Sequence, residues 1–152
     1  MLFAEDLKVG DDFDLGTHLM AASEIIGFGE LWDPLTMHVD PIGAEKSAYG
    51  ALIASGMHSL SVYQRLSVRS LYSNWRVYAG RRLADVKFLR PVFADTLLRG
   101  RARVVAIEPR HPDRWLVTTL GALRVGEEPS SLEVMSETYV LTRASELADP
   151  PP

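Results

Sequence analysis

The feature that most restricts the fold of this chain is a two-residue alternation of side-chain type in its second half. In the stretch DTLLRGRARVVAI, small or apolar residues alternate with the arginines Arg99, Arg101 and Arg103. Because successive side chains of a strand point to opposite faces, this alternation predicts a strand with one buried face. We interpret the arginines as the solvent-exposed face of that strand rather than as an anion-binding site.

Other segments extend this pattern into a sheet. Three of them are rich in β-branched and aromatic residues and are separated by turn formers, namely RLADVKFLRPV, RWLVTTLGALRV and LEVMSETYVLTR. A further strand is predicted near DDFDLG. Before this meander, MHSLSVYQRLSVRSLY carries a stripe at helical spacing, formed by Met57, Leu60, Tyr63, Leu66 and Leu71. The order predicts an α+β fold, a small antiparallel sheet wrapped around one long central helix.

The chain is predicted to form a single domain. Its 152 residues are 47% hydrophobic, which suffices for one sizeable core, and they contain no repeat or internal linker. We place the domain at residues 1–146 and expect the Pro-rich C-terminal tail, residues 147–152, to be a frayed end.

Charge and composition exclude several classes of function. The net charge is −4 and the basic residues are scattered, so nucleic acid is not an expected partner. Without cysteine, neither disulfides nor thiolate metal sites can form. The N-terminal segment contains acids where a signal peptide needs basic and then apolar residues, and no run reaches the ~18 apolar residues of a membrane span. We therefore expect a soluble, cytoplasmic protein with no membrane contact.

The stretch WDPLTMHVDP holds the residues most suggestive of chemistry. Asp33 and His38 lie five residues apart. Ser23 can cap a short helix that ends at Asp33, since Pro34 disfavours helical geometry at the residue before it. Asp40 is interpreted as a turn or capping acid. From the spacing alone, Asp33 and His38 would more often be a turn former and a surface residue.

The surrounding residues resemble a known family. The segments WDPLTMHVDPIGAEKSAYGALIASGMHS and KFLRPVFADTLLRGRARV are similar to the paired signatures of MaoC-like dehydratases, which include the (R)-specific enoyl-CoA hydratases and have the hot-dog fold. The family's D-x-N-P-x-H motif places its acid and histidine on Asp33 and His38. Leu35 and Thr36 stand where the family often has Asn and Pro, and Ser55 replaces a common His. Both ionisable positions are kept, so these departures bear on the substrate more than on the reaction.

The resemblance implies a hydratase or dehydratase that acts on an acyl-CoA or acyl-carrier thioester. Adding water to an α,β-unsaturated thioester needs a base, an acid and donors for the enolate oxygen. Asp33 and His38 can divide the first two tasks. Gly56, at the start of the long helix, lets an acyl carbonyl approach a free backbone N–H, and the resemblance implies the same role. It also points to Ser55 and Met57 as substrate-binding residues.

Other interpretations of these residues are less favoured. His18, His58 and His111 share no ligand spacing, so no metal site is expected, and no cofactor is implied apart from the coenzyme A of the substrate. Ser55, His38 and Asp33 suggest a hydrolase triad, but IASGM is not the G-x-S-x-G elbow. A hot-dog acyl-CoA thioesterase and a non-catalytic acyl-binding or partner subunit remain alternative functions. By analogy with the family, we expect at least a homodimer, with the acyl site near the subunit interface.

Overall fold

The computed structural model describes residues 1–146, and the predicted tail, residues 147–152, lies outside this range. The strands and α-helices are, in chain order, β1 (Asp12–Met20), α1 (Ala22–Trp32), α2 (Thr36–Val39), α3 (Pro41–Ala44), α4 (Gly56–Ser70), β2 (Val77–Phe88), β3 (Thr96–His111), β4 (Arg114–Val125) and β5 (Leu132–Leu141). Short 3-10 helices cover Ala4–Asp6, Tyr72–Asn74 and Arg143–Glu146. In this range no helix is long and apolar enough to cross a membrane.

The five strands form one antiparallel sheet in the order β1-β3-β4-β5-β2. Strands β1 and β2, which flank the helices in sequence, lie at opposite edges of the sheet. The helical segment between them therefore carries the chain across one face, and α4 packs there against β1, β3 and β4. The predicted α+β arrangement, a sheet wrapped around one long helix, is confirmed.

The buried face of α4 differs from the predicted stripe. It consists of His58, Ser59, Val62, Tyr63, Leu66 and Ser67. Met57, which we assigned to the stripe, is 55% exposed. The apolar pattern missed the serines because Ser67 satisfies its hydroxyl within the helix, donating to the carbonyl of Tyr63 at 2.9 Å. A serine bonded in this way can be buried like a small apolar residue.

Two glycines allow α4 to lie close to the sheet. A Cβ at Gly100 would stand 3.1 Å from side-chain atoms of Leu15 and Leu66. At Gly121 the contact is closer still, because a Cβ there would lie 2.0 Å from the hydroxyl oxygen of Tyr63. The Tyr63 ring thus occupies the space above Gly121, and burial raises the pKa of its phenol.

The arginines of β3 face outward, as predicted. Arg101 and Arg103 donate to the two carboxylate oxygens of Asp12 on β1, at 2.8 and 2.7 Å, and Arg99 pairs with Asp14. Hydrogen bonds from these arginines lower the pKa of both carboxyl groups. Exposed pairs of this kind contribute little to stability, because water and salt screen them. The arginine side chains remain more than half exposed and form ion pairs with acids of the neighbouring strand, which agrees with a solvent-exposed face.

The contact between Gly121 and Tyr63 predicts a local sensitivity to side-chain size. We expect Gly121→Ala to lower the free energy of unfolding by about 1–3 kcal/mol, because the added methyl group forces the buried Tyr63 ring to move. Gly27→Ala is the matched control, since a Cβ at Gly27 meets no atom within 4 Å. Chemical denaturation monitored by circular dichroism measures both. Equal stability of the two variants would contradict the packing described for Gly121.

Candidate active site

Asp33 occupies the C-terminal cap of α1. Its N–H donates to the carbonyl of Gly29 at 2.9 Å, and Pro34 follows, so the helix ends where the sequence predicts. The start of this helix was predicted wrongly. Ala21 is the N-cap and makes no side-chain capping bond, whereas Ser23 is already the second helical residue. An acid in the first turn and a short side chain at the cap are weak signals that allow a shift of this size.

His38 lies on the short helix α2 and is buried. Its Nδ1 is 2.7 Å from the carbonyl oxygen of Ile53. Because a carbonyl can only accept, Nδ1 carries the proton, and in the neutral ring Nε2 is left as a basic lone pair. Nε2 lies 3.6 Å from Oδ2 of Asp33. The structure thus brings together the two ionisable residues that the sequence singled out.

A close helix crossing fixes this neighbourhood. A Cβ at Gly29 would stand 2.9 Å from the side chain of Val39 and 3.1 Å from Cβ of His38. The carbonyl of the same glycine accepts the N–H of Asp33. Gly29 is therefore the point at which the segment carrying the carboxylate packs against the segment carrying the imidazole.

Ser55 connects Asp33 to the start of α4. Its hydroxyl donates to Oδ2 of Asp33 at 2.6 Å and accepts the N–H of Met57 at 3.2 Å, as the N-cap of the helix. Ser55 is almost fully buried. We predicted Ser55 and Met57 as substrate-binding residues; the structure places Ser55 against the carboxylate and Met57 on the exposed side of α4. Asp40 caps α3 by accepting the N–H of Ile42 at 3.0 Å, as predicted.

A cavity of about 400 Å³ opens beside His38. Apart from His38, its walls are formed mainly by apolar groups and backbone, and they include Ile53, Ala54, Gly56, Phe88 and Val92. Asp33 is not part of the lining; its carboxylate lies beside Nε2 of His38, and its side chain is 31% exposed. The arrangement places the imidazole of His38 at the wall of a mainly apolar cavity, with a carboxylate next to its Nε2.

Gly56 is the first residue of α4 and faces this cavity. Within residues 1–146 its N–H makes no hydrogen bond to another protein group, unlike the N–H of Met57. The N-terminus of this 15-residue helix favours negative charge. The ring of Phe88 covers the residue, because a Cβ on Gly56 would lie 2.9–3.0 Å from three of its ring carbons. Gly56 therefore offers a donor to an anionic oxygen, next to a movable aromatic ring.

A second group of ionisable side chains was not found from the sequence. His18 on β1 and His58 on α4 both contact Glu24 on α1, with Nε2 to carboxylate distances of 2.9 and 3.3 Å. No periodicity relates these positions, because the three residues come from three elements that only the tertiary fold brings together. In the part of the chain that the structure describes, no group of three or more such side chains is arranged to hold a metal ion.

Comparisons with known proteins agree with this architecture. A family model described as "MaoC like domain" matches residues 12–122. The crystal structure of the MaoC-like dehydratase from Rhodospirillum rubrum is 30% identical, with a TM-score of 0.82 over 94% of this chain and 99% of that chain. The unliganded R-hydratase PhaJ1 from Pseudomonas aeruginosa is 20% identical, with a TM-score of 0.74 over 99% of this chain and 94% of that chain. At that identity the likeness concerns the fold alone.

A curated relative matches over most of both chains. The uncharacterized protein YdeM of Bacillus subtilis is 25% identical over 116 residues, which are 76% of this chain and 82% of that protein. Together with the sheet order and the central helix, these comparisons confirm the predicted hot-dog fold.

Proposed function

The chain belongs to the MaoC-like domain family, and from that membership we propose that it is a hydratase or dehydratase of α,β-unsaturated acyl thioesters. The reaction is the interconversion of an enoyl-CoA and the (R)-3-hydroxyacyl-CoA. The observation that carries the proposal is the placement of His38, whose Nε2 lies beside the Asp33 carboxylate, at the wall of a mainly apolar cavity that Gly56 also lines.

The two side chains can act together on one water molecule. Asp33 accepts the Ser55 hydroxyl, and Nδ1 of His38 donates to a carbonyl, so both groups present acceptors to the space between them. Their separation of 3.6 Å is longer than a direct hydrogen bond, as expected of two acceptors, and one water molecule could donate a hydrogen bond to each of them. A water molecule bound by both would be oriented and made more nucleophilic.

The proton balance of the reaction then closes within the pair. The water oxygen forms a bond to C3, one proton of the water passes to the Asp33/His38 pair, and the π electrons move onto the thioester oxygen. The Gly56 N–H donates to that oxygen while it carries negative charge. The pair returns one proton to C2 as the carbonyl re-forms, and dehydration follows the same steps in reverse. No redox or metal cofactor enters this scheme.

The carrier of the acyl group is proposed to be coenzyme A or an acyl-carrier phosphopantetheine. The cavity wall is apolar apart from His38, Tyr49, Arg90 and two serines, which suits a hydrocarbon chain next to the thioester. A thioesterase would instead need an attacking group aimed at the carbonyl carbon. The pair lies beside the cavity together with Gly56, which favours attack at C3 while the N–H holds the oxygen.

Single and double substitutions test the catalytic pair. We expect Asp33→Asn and His38→Gln each to reduce hydration of an enoyl-CoA by about 10²–10⁴-fold, because each removes a proton-transfer group while preserving its shape. Both act in one step, so the double variant should lose little more than the worse single variant. Loss of the conjugated thioester absorbance measures the rate.

Asp40→Asn is the matched control for these substitutions. Asp40 lies two residues from His38 but caps α3, so we expect a small loss of stability and a near-normal rate. If Asp33→Asn and His38→Gln both fold and retain near-normal hydration, the pair is only a loop feature. The thioesterase or binding-subunit function would then replace this proposal.

Substitution of Gly56 tests the oxyanion donor. We expect Gly56→Val to lower turnover by about 10²–10³-fold, because its side chain displaces Phe88 into the cavity and obstructs the acyl carbonyl. The same change in a Phe88→Leu background separates the two effects, since the smaller side chain leaves room for the valine. Activity restored in that background would assign the loss to the ring, and a folded Gly56→Val protein with unchanged turnover would remove Gly56 from the mechanism.

The edge strand β2 suggests how the chain assembles. Within residues 1–146 it pairs only with β5, and its exposed side chains include Val77, Tyr78, Leu83 and Phe88. The other edge, β1, instead carries Asp12 and Asp14, which pair with arginines of β3. An unpaired edge with exposed apolar groups is a template for another chain. Since Phe88 at the end of β2 covers Gly56, pairing there would place the site near the interface.

We therefore expect a homodimer that forms through β2. Light scattering at micromolar concentration should give twice the chain mass, and Leu83→Lys should shift the protein toward the monomer by placing a charge on that edge. Leu97→Lys, an equally exposed leucine on an interior strand, is the control. A monomeric parent protein would refute the assembly, and a dimer unaffected by Leu83→Lys would exclude β2 as its interface.

A further inference from the structure

Helix α1 carries Asp33 at its end but is only lightly anchored. Of its eleven residues, only Ile25 and Gly29 are buried, whereas Ala22 and Ile26 pack against the core while partly exposed. The position of the Asp33 carboxylate therefore depends on few apolar contacts. Polar contacts to the neighbouring elements must supply much of the restraint on this helix.

Glu24 supplies such contacts at the other end of α1. One carboxylate oxygen lies 2.9 Å from Nε2 of His18 on β1, and the other lies 3.3 Å from Nε2 of His58 on α4. The His58 ring is also stacked on Phe28 of α1, with centroids 4.6 Å apart and an interplanar angle of 5°. A single carboxylate thus bonds α1 to the edge of the sheet and to the first turn of the central helix.

The protonation states follow from burial and from these partners. Burial opposes the charge on Glu24, but hydrogen bonds from His18 and His58 outweigh it, so the pKa of the carboxyl lies below its usual value. Burial lowers the pKa of the His58 imidazole despite the nearby carboxylate. Around neutral pH, His58 is therefore a neutral ring whose Nε2–H donates to a charged Glu24.

The contacts of His58 are not those of a group that serves stability alone. Its Nδ1 is buried and has no hydrogen-bond partner in residues 1–146. An unsatisfied buried acceptor is destabilising, and an apolar side chain stacked on Phe28 would avoid that cost. What the imidazole provides and an apolar residue cannot is a directional bond to Glu24.

We propose that Glu24 is a positioning residue: by holding α1 against β1 and α4, it keeps the Asp33 carboxylate beside the ring of His38. This inference rests on the proposed hydratase function for its kinetic consequences, though not for its geometric ones. Two hydrogen bonds join α1 and its C-cap to the start of α4: His58 donates to Glu24, and Ser55 donates to Asp33. Loss of the first leaves the helix free to tilt about the second.

The kinetic test uses Glu24→Gln with Glu30→Gln as its matched control. Glu30 lies on the same helix but is exposed. We expect Glu24→Gln to lower kcat for enoyl-CoA hydration by about 10–100-fold with KM within about twofold. The amide offers one acceptor oxygen to two imidazole N–H groups, so one of the two bonds of Glu24 is lost, and a shift near 1 Å in a reacting group has effects of that size. Glu30→Gln should match the parent. In an Asp33→Asn background, Glu24→Gln should change the rate by less than about twofold, since it acts through that carboxylate.

Variants of His58 provide an independent arm. His58→Gln keeps an N–H donor near the position of Nε2 and should retain most of the activity. His58→Leu removes the donor while filling the space against Phe28, and it should lose kcat without losing thermal stability. Equal activity of these two variants, or an additive effect of Glu24→Gln in the Asp33→Asn background, would overturn the inference.

A spectroscopic measurement separates this inference from the proposed function. The chain has four histidines, so the ring signals in a ¹H–¹³C spectrum can be assigned by substitution. Asp33→Asn reports how the His38 signal responds to loss of the neighbouring carboxylate, and Glu24→Gln should shift the same signal in the same direction, whereas Glu30→Gln should not. If the parent protein does not hydrate any enoyl-CoA, the function fails and this spectrum alone decides the inference; an unmoved His38 signal refutes it.

Discussion

The arrangement of the site depends on the two hydrogen bonds that the Ser55 hydroxyl makes. It donates to Asp33 at 2.6 Å and accepts the N–H of Met57, the second residue of the central helix. One hydroxyl group therefore holds the carboxylate and caps the start of α4. The start of α4 also sets the direction of the Gly56 N–H. The positions of the Asp33 carboxylate and of the proposed oxyanion donor therefore both depend on Ser55. A displacement of either would be transmitted to the other through a single oxygen atom.

The sheet and the central helix could be predicted from the sequence because they follow from local periodicity. The arginine alternation in β3 depends only on neighbouring residues, whereas the roles of Asp33 and His38 were predicted from the resemblance of their motif to a known family. The buried face of α4 could not be assigned in the same way. Ser67 is buried because its hydroxyl bonds to a carbonyl of its own helix, and Met57, the second residue of the helix, lies on the exposed side. The exact start of α1 depends on a cap without a side-chain bond, for which Ser23 gave a misleading signal.

The cluster around Glu24 shows a different limit. His18, Glu24 and His58 carry no mutual spacing, and each taken alone is an ordinary polar residue. Their association arises only in the folded chain, where Glu24 of α1 reaches His18 on β1 and His58 on α4. Ser55 shows the same limit. The sequence places this residue next to the site, but only the structure shows that its hydroxyl points to Asp33. Contacts within one segment can thus be predicted from the sequence, whereas contacts among three separate segments cannot.

The bond between Nδ1 of His38 and the carbonyl of Ile53 has a stereochemical consequence. Because Nδ1 of this buried ring is bonded to the backbone, the ring can exchange a proton only through Nε2, the nitrogen that faces Asp33. Under the proposed reaction, the oxygen that joins C3 and the hydrogen that joins C2 would both come from this one side of the planar enoyl group. Addition would then be syn, and the configurations at the two carbons would be set together by the face that the acyl chain presents.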